Sequence, residues 1–273
     1  MPSADPTGTQ AAIATRELTR RFGNLTAVDR LTLSIPARSI FGLLGTNGAG
    51  KSTVIKMLTT LLPPTSGTAS VAGYDIVREP ESVRRHVGYV PQMLSADGEL
   101  TGYENLLISA KLYGIPRAER SVRIDQALEF MELGSAAHRP VSQYSGGMIR
   151  RLEIAQSMLH RPAVLFLDEP TLGLDPNARH AVWQRIQDLR AEFQTTILLT
   201  THDMEEADHL CESVAFMHRG RFVCEGAPAT LKAQVGEGAT LDDVFVRLTG
   251  ASAEDRGEFR EVKRTRRTMQ RLS

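Results

Sequence analysis

Apolar residues along this chain follow two patterns, and the change between them separates two kinds of strand. Over residues 13–35 apolar and polar positions alternate, with Leu31, Leu33 and Ile35 on one face, as in a half-buried antiparallel strand. Later strands are continuous apolar runs, which are typical of parallel strands covered on both faces. These runs lie at residues 40–44, 87–90, 163–167, 197–200 and 214–217.

Helical patterns fill the space between the second and third apolar runs. Residues 118–133 and 146–159 each predict a helix. Before the second apolar run, residues 63–67 form a turn cluster of Pro, Thr, Ser and Gly. The chain is therefore predicted to be an α/β protein with an antiparallel β subdomain and a helical insertion at about residues 93–160.

Both ends of the chain lack this apolar patterning. Residues 1–11 are small and polar and are predicted to be disordered, which leaves residues 12–250 as one domain. In the tail at residues 251–273, positions 262–273 carry five basic residues and no acidic one. Either this tail is solvated and disordered, or its charges contact anionic lipid headgroups.

Composition narrows the classes of partner. The 273 residues are 41% hydrophobic and have a formal net charge of zero. The net charge of the chain therefore does not favour binding to nucleic acid. No apolar run approaches the roughly 18 residues that cross a bilayer, and the N-terminus does not resemble a signal peptide. The sequence predicts a soluble protein, so any membrane-spanning part belongs to another chain. Cys211 and Cys224 are not spaced as a metal or redox pair.

The strongest chemical motif follows the first apolar run. It fits the P-loop pattern Gly-x-x-x-x-Gly-Lys-Ser at every defined position, between a predicted strand and a predicted helix. Glycines let backbone N–H groups turn toward phosphate oxygens, the lysine reaches the β- and γ-phosphates, and the serine ligates Mg²⁺. A glycine-rich turn that binds nothing is the alternative. The predicted ATP-binding residues here are Gly45, Thr46, Asn47, Gly48, Ala49, Gly50, Lys51, Ser52 and Thr53.

Two carboxylates end the apolar run at residues 163–167. Asp168 and Glu169 would lie at the carboxyl edge of the sheet, where ligands of open α/β folds bind. Asp168 is predicted to hold Mg²⁺, and Glu169 to orient and polarise the attacking water. A solvated acidic turn is the alternative, which the P-loop upstream disfavours.

Three further segments suit nucleotide chemistry. His202 follows another apolar strand, where it can donate to a γ-phosphate oxygen or serve a structural role. Gln92 follows the run at 87–90, where its amide can reach Mg²⁺ and the water or simply lie on a surface loop. Ser145, Gly146 and Gly147 precede a helix and can bind phosphate, although Ser145 is equally suited to cap that helix. A second phosphate-binding loop in one chain suggests a dimer with nucleotide between the loops.

In this order, the segments resemble the nucleotide-binding subunit of an ABC transporter, across residues 12–250. The resemblance implies the P-loop NTPase core of the ABC ATPases, ATP and Mg²⁺ as cofactors, and Glu169 as the catalytic glutamate. It also implies Gln92 as the Q-loop residue, His202 as the switch histidine, and Asp175 in the D-loop. Phe22 stands where the family stacks an aromatic ring on adenine. Residues 144–148, Tyr-Ser-Gly-Gly-Met, resemble the signature motif Leu-Ser-Gly-Gly-Gln with changes at both ends, which adds Tyr144 to the predicted site.

Three further segments indicate one subfamily within this family. Residues 144–155, 100–106 and 241–245 are similar to the daunorubicin-resistance type of drug-export ATPase, in the ABC-2 exporter group. The resemblance implies a homodimer closed through its nucleotide sites, peripheral on the cytoplasmic face of the plasma (inner) membrane. A separate permease is expected to dock near residues 93–115. One alternative is an importer ATPase. The other is an ABC ATPase that acts on nucleic acid or ribosomes, but the neutral charge and single cassette of this chain argue against it. No nucleic-acid partner is therefore expected.

Overall fold

The structure is a computed structural model that describes residues 11–250. The strands of this part are β1 (Ala11–Phe22), β2 (Leu25–Pro36), β3 (Ile40–Leu44), β4 (Ser66–Val71), β5 (Tyr74–Asp75), β6 (Val87–Val90), β7 (Val164–Asp168), β8 (Thr196–Thr201), β9 (Ser213–His218) and β10 (Arg221–Gly226). Its α-helices are α1 (Lys51–Leu58), α2 (Pro80–His86), α3 (Gly102–Leu112), α4 (Arg117–Phe130), α5 (Gly146–Met158), α6 (Pro176–Phe193), α7 (Met204–Leu210), α8 (Pro228–Ala233) and α9 (Leu241–Thr249).

Two sheets make up the β structure, as the two apolar patterns predict. One is antiparallel, in the order β2-β1-β4-β5, and the other has the order β10-β9-β3-β8-β7-β6. In the second sheet β6, β7, β8, β3 and β9 run parallel, and β10 is added antiparallel to β9 at the edge. The predicted α/β fold with an antiparallel β subdomain is confirmed.

The continuous apolar runs are explained by a core on each face of the larger sheet. Along β7, Leu165 and Leu167 pack with the helices, whereas Val164 and Phe166 pack toward α1 and the antiparallel sheet. Because both faces are covered, no position of this strand is left for a polar residue until Asp168 at its end.

Helices α3, α4 and α5 all lie between β6 and β7, where the helical insertion was predicted. We propose the limits 93–160 for this helical subdomain. Helix α4 ends at Phe130, three residues before the predicted end. Helix α5 begins at Gly146, the first residue of the predicted range 146–159, and the Ser145 hydroxyl caps it by accepting a hydrogen bond from the Met148 N–H.

Other predicted boundaries also need correction. Strand β4 begins at Ser66, inside the predicted turn cluster. Ala11, which was predicted to be disordered, pairs with Pro36 in the β1–β2 ladder. The remaining predictions of disorder, for residues 1–10 and 251–273, lie outside the described residues. None of the helices between residues 11 and 250 is long and apolar enough to cross a bilayer.

Candidate functional site

The loop between β3 and α1 forms a cradle that only glycine backbone permits. Gly50 has φ 102°, and a Cβ there would lie 2.3 Å from the Ala27 carbonyl oxygen. A Cβ on Gly45 would come equally close to the carbonyl oxygen of Met217. The loop is thus pressed against neighbouring backbone, and α1 begins directly after it with its N-terminal N–H groups toward the same edge. The cradle fits a phosphate group.

Lys51 begins α1 and turns back over this loop. Its side chain is 6% exposed, and Nζ donates to the carbonyl oxygens of Gly45 (2.7 Å) and Thr46 (3.2 Å). Nζ also lies 3.2 Å from Oε1 of Glu169. The remaining predicted loop residues line the cradle: Ala49 is buried, Thr46 and Thr53 are partly buried, and Asn47 and Gly48 are exposed.

Ser52 and Asp168 meet at the predicted magnesium position. The Ser52 hydroxyl donates to Oδ1 of Asp168 at 3.0 Å, and the Thr200 hydroxyl donates to the same oxygen at 2.6 Å. A serine hydroxyl and a carboxylate are hard oxygen donors of the kind Mg²⁺ prefers, so these residues fit the ion. Burial, together with the charge of Asp168, raises the pKa of the nearby Tyr89 to about 12.

Glu169 is held in an uncommon backbone conformation, with φ 51°. Its N–H donates to both the carbonyl oxygen and the hydroxyl oxygen of Thr200, each at 3.1 Å, which stabilises this turn after β7. Burial alone raises the pKa of the Glu169 carboxyl, but the hydrogen bond from His202 and the charge of Lys51 outweigh it, and the net pKa lies below its usual value. The carboxylate is therefore ionised at neutral pH.

His202 follows β8 and faces Glu169. Nδ1 of the ring lies 2.7 Å from Oε2 of Glu169, so this nitrogen is assigned the proton. With Nδ1 donating to Glu169, Nε2 is a second donor only when the ring carries two protons. This geometry joins Lys51, Glu169 and His202 into one chain of polar contacts.

The adjacent parallel strands explain why these residues meet. In the ladders of the larger sheet, Leu44 of β3 stands opposite Thr201 of β8, and Asp168 of β7 stands opposite Thr200. Residues that follow these strands therefore reach one edge of the sheet. Thr200 was not predicted as a site residue. The feature that could have indicated it is a threonine at the end of an apolar strand that pairs with the Asp168 strand.

Gln92 and Phe22 lie in exposed positions. Gln92 follows β6 in a loop, with its side chain exposed and its carbonyl oxygen accepting a hydrogen bond from Arg150 Nη2 at 2.8 Å. Phe22 ends β1 and is 44% exposed, with the Arg20 guanidinium carbon 4.6 Å from its ring centroid. The predicted contacts of Gln92 with Mg²⁺ and of Phe22 with adenine stay predictions.

The signature segment lies apart from the Lys51 cluster. Ser145 and Gly146 are exposed at the start of α5, and no contact joins them to Lys51 or Glu169 within residues 11–250. Tyr144 differs from its prediction as a nucleotide contact: the ring is 8% exposed, and its hydroxyl donates to the Ala136 carbonyl oxygen at 2.7 Å. The ring packs into the helical subdomain, since an aromatic side chain gains more there than at an exposed loop.

Asp175 is exposed and caps α6, accepting from the Ala178 N–H at 3.0 Å. Beneath this loop lies Glu206, a residue that the sequence did not single out. Oε1 of Glu206 accepts from the Thr171 hydroxyl at 2.6 Å and from the indole N–H of Trp183 at 3.0 Å. Glu206 thus ties the loop after Glu169 to α6 and α7.

Comparisons with known proteins agree with this geometry. The family described as "ABC transporter" matches residues 28–172. The daunorubicin/doxorubicin resistance ATP-binding protein DrrA of Streptomyces peucetius is 45% identical over 225 residues, covering 82% of this chain and 68% of that protein. Nod factor export ATP-binding protein I of Sinorhizobium fredii is 43% identical over 226 residues, covering 82% of this chain and 66% of that protein. The chain thus spans about two thirds of the length of these relatives.

A solved structure has the same fold over nearly all of its length. The structure of an ATP-binding subunit of an ABC transporter superposes with a TM-score of 0.77 and 33% identity, covering 87% of this chain and 99% of that one. The P-loop cradle, the contacts of Lys51 and Asp168 at one sheet edge, and these matches agree with one another. This chain belongs to the ABC transporter family, as one of its ATP-binding and ATP-hydrolysing subunits.

Proposed function

We propose that this chain hydrolyses ATP to drive export through a separate membrane permease, and that it works as a homodimer closed around nucleotide. The observation that carries the chemistry is the set of contacts at one sheet edge. There Lys51 and His202 both contact Glu169, while Ser52 and Thr200 both contact Asp168. Cation, base and metal-binding oxygens are therefore within one cluster.

Binding of ATP uses the loop before α1. Lys51 exchanges its bonds to the carbonyl oxygens of Gly45 and Thr46 for bonds to the β- and γ-phosphates. Ser52 and Asp168 would hold Mg²⁺, with Gln92 as a further ligand from the end of β6, and the ion would neutralise charge on the phosphate oxygens when bound. Phe22 is exposed at the end of β1 and is proposed to stack on adenine.

Hydrolysis follows from the charge on Glu169. A water molecule attacks the γ-phosphorus, the bond from that phosphorus to the β–γ bridging oxygen breaks, and Glu169 accepts the proton of the water. His202 holds the carboxylate through Nδ1 and, when doubly protonated, donates to a γ-phosphate oxygen through Nε2. The products are ADP and phosphate.

Exposure of Ser145 and Gly146 supports the dimer. Helix α5 is 13 residues long, is capped by the exposed Ser145 and begins with two glycines. Its N-terminus is therefore suited to binding phosphate. Since Ser145 does not contact the Lys51 cluster of its own chain, we assign it to the nucleotide of the partner copy. Asp175, exposed at the start of α6, is assigned to the same interface.

The proposal that transport runs in the direction of export rests on similarity to known relatives. The relatives DrrA and Nod factor export protein I carry resistance and export in their names, and both match more than four fifths of this chain. Because ATP is a cytosolic substrate, we place the chain at the cytoplasmic face of the membrane. A drug, antibiotic or lipid is the proposed class of cargo, and no nucleic-acid partner is proposed.

A docking surface for the permease is proposed in the helical subdomain. Met93 and Leu112 are each 82% exposed, and Leu94, Ile108 and Tyr113 are also exposed large apolar residues between positions 93 and 115. Exposed apolar side chains concentrated in one stretch are typical of an interaction site.

Co-purification from detergent-solubilised membranes tests this proposal. We expect the chain to retain an integral membrane protein, identified by mass spectrometry, and Met93→Asp and Leu112→Asp to lose it. Leu61→Asp and Val77→Asp are matched controls, since Leu61 is 60% and Val77 59% exposed outside this surface. Equal retention by all four variants would contradict the docking surface; the absence of any membrane partner would contradict the transport role.

A further inference from the structure

A buried ion pair on α5 holds the loop that contains Gln92. Arg150 and Glu153 are 2% and 3% exposed, and Nη1 of Arg150 lies 3.0 Å from Oε2 of Glu153. Arg150 donates to the carbonyl oxygens of Pro91 (2.7 Å) and Gln92 (2.8 Å) through its two terminal nitrogens. The backbone just after β6 is therefore clamped from one side.

Glu153 holds the other end of the same loop. Its Oε1 accepts hydrogen bonds from the Ser95 N–H, from the Ser95 hydroxyl at 3.1 Å and from the Ala96 N–H at 3.4 Å. The segment 91–96 is thus bonded to α5 at both ends, while Met93 and Leu94 between them are exposed.

Stability alone does not explain this pair. A buried ion pair gains little over well-packed apolar side chains, because both charges lose their hydration. Nε of Arg150 is buried without a hydrogen-bond partner in the described part of the chain, which adds to that cost. Two apolar residues would fill this space at lower cost but would leave the backbone groups of the loop without partners. The arrangement is therefore one that fixes the position of a backbone segment.

The clamp joins three parts of the site. Helix α5 begins at Ser145, assigned above to the nucleotide of the partner copy. The loop begins with Gln92, assigned to Mg²⁺ and the attacking water, and continues with Met93 of the docking surface. We propose that Arg150 and Glu153 are positioning residues that make α5 and the segment 91–96 move as one body, an inference that rests on the proposed function. Displacement of the docking surface then moves Ser145 and Gln92 together.

A paired variant separates positioning from folding. Arg150→Met/Glu153→Leu replaces the ion pair by apolar side chains of similar size and leaves no charge buried without a partner, so we expect the variant to fold and unfold cooperatively, with a melting temperature lowered only by the lost hydrogen bonds of the loop. ATP affinity and KM should remain within about twofold, whereas kcat should fall about 10- to 100-fold, since a displacement of about 1 Å costs rates of this order. Hydrogen exchange of the Ser95 and Ala96 amides should become faster.

Arg151→Met is the matched control on the same helix. Arg151 donates to the Met131 carbonyl oxygen at 2.8 Å and to Glu132 at 3.2 Å, so it joins α5 to the end of α4 and not to the loop. We expect this variant to keep the wild-type kcat and the slow exchange at Ser95 and Ala96. If the paired variant does not fold, Arg150→Lys, which keeps the charge but not the two-point contact, should give an intermediate kcat with unchanged KM.

Gln92→Ala distinguishes failure of this inference from failure of the proposed function. We expect Gln92→Ala to lower kcat and the paired substitution to add little to it. If Gln92→Ala is slow but the paired variant has the wild-type kcat and slow amide exchange, the inference is overturned and the proposed function stands. If Gln92→Ala hydrolyses ATP at the wild-type rate, the proposed role of Gln92 is wrong, and amide exchange alone decides whether the pair holds the segment.

Discussion

Nζ of Lys51 lies 3.2 Å from Oε1 of Glu169, and both side chains are buried. The cation that is to hold the β- and γ-phosphates is thus paired with the carboxylate that is to accept the proton of water. Phosphates bound in the proposed way would place a competing anion beside Lys51. We therefore expect nucleotide binding to free Glu169 from this contact.

Lys51→Ala is expected to weaken ATP binding about 10- to 150-fold, the equivalent of one charged hydrogen bond of about 1.5–3 kcal/mol. Isothermal titration calorimetry measures this change. Lys56→Ala is the control, because Lys56 is exposed on the same helix. Near wild-type affinity in Lys51→Ala would contradict the assignment of the loop to phosphate.

Ser145→Arg is expected to leave ATP binding by the monomer within about twofold. It should prevent dimer closure, because the bulky, charged arginine side chain fills the space that the phosphate of the partner copy would occupy. ATP hydrolysis should fall about 10²-fold or more, as for other misplaced catalytic contacts. Ser142→Arg is the control at an exposed serine three residues earlier. Intact, cooperative hydrolysis in Ser145→Arg would show that the signature segment is not part of the site.

Glu206 predicts a dependence of stability on pH. Burial raises its pKa above the usual value, although hydrogen bonds from Thr171, Thr201 and Trp183 oppose this. As pH rises, the carboxyl ionises first in the unfolded chain, so the stability present below the unfolded pKa is lost as pH rises through the folded pKa.

Glu206→Gln cannot ionise and should lose this dependence. Relative to wild type, its free energy of unfolding should increase as pH rises from the unfolded pKa of Glu206 through its raised folded pKa. Urea unfolding at several pH values measures the difference. Glu205→Gln, an exposed neighbour, is the control, and a pH-independent difference for Glu206→Gln would rule out a raised pKa.

The sequence predicted the parts of the site that depend on local backbone geometry. The P-loop, the carboxylates at the end of β7 and the histidine after β8 each stand at the end of an apolar strand, so their meeting at one edge follows from parallel pairing. Thr200, Glu206 and the pair Arg150–Glu153 were not predicted. Their partners Asp168, Thr171 and Pro91, respectively, each lie more than 30 residues away along the chain, and only the tertiary structure brings them together.

For Tyr144, the sequence motif did not predict the direction of the side chain. Its place beside Ser145 predicted a nucleotide contact, but neighbouring residues at a helix start point in different directions. The Ser145 side chain caps α5, whereas the Tyr144 ring fills the helical subdomain and bonds to Ala136. Adjacency in sequence therefore did not predict a shared surface.

Glu169→Gln tests the link between Lys51 and hydrolysis most directly. The substitution keeps the size of the side chain but removes the charge that accepts the proton, so hydrolysis should fall about 10²- to 10⁴-fold. Lys51, Ser52 and Asp168 are retained, and Lys51 no longer has a buried carboxylate as a partner. ATP affinity should therefore equal or exceed that of the wild type, with Glu192→Gln, an exposed glutamate near the end of α6, as the control.

Binding without hydrolysis should also trap the closed dimer. The γ-phosphate stays between Lys51 of one copy and Ser145 of the other, so we expect Glu169→Gln to elute as a dimer with ATP and as a monomer with ADP. Size-exclusion chromatography with light scattering measures the mass. Hydrolysis at the wild-type rate would show that Glu169 is not the base. An inactive variant that stays monomeric with ATP would show that closure of the isolated subunits requires the membrane partner.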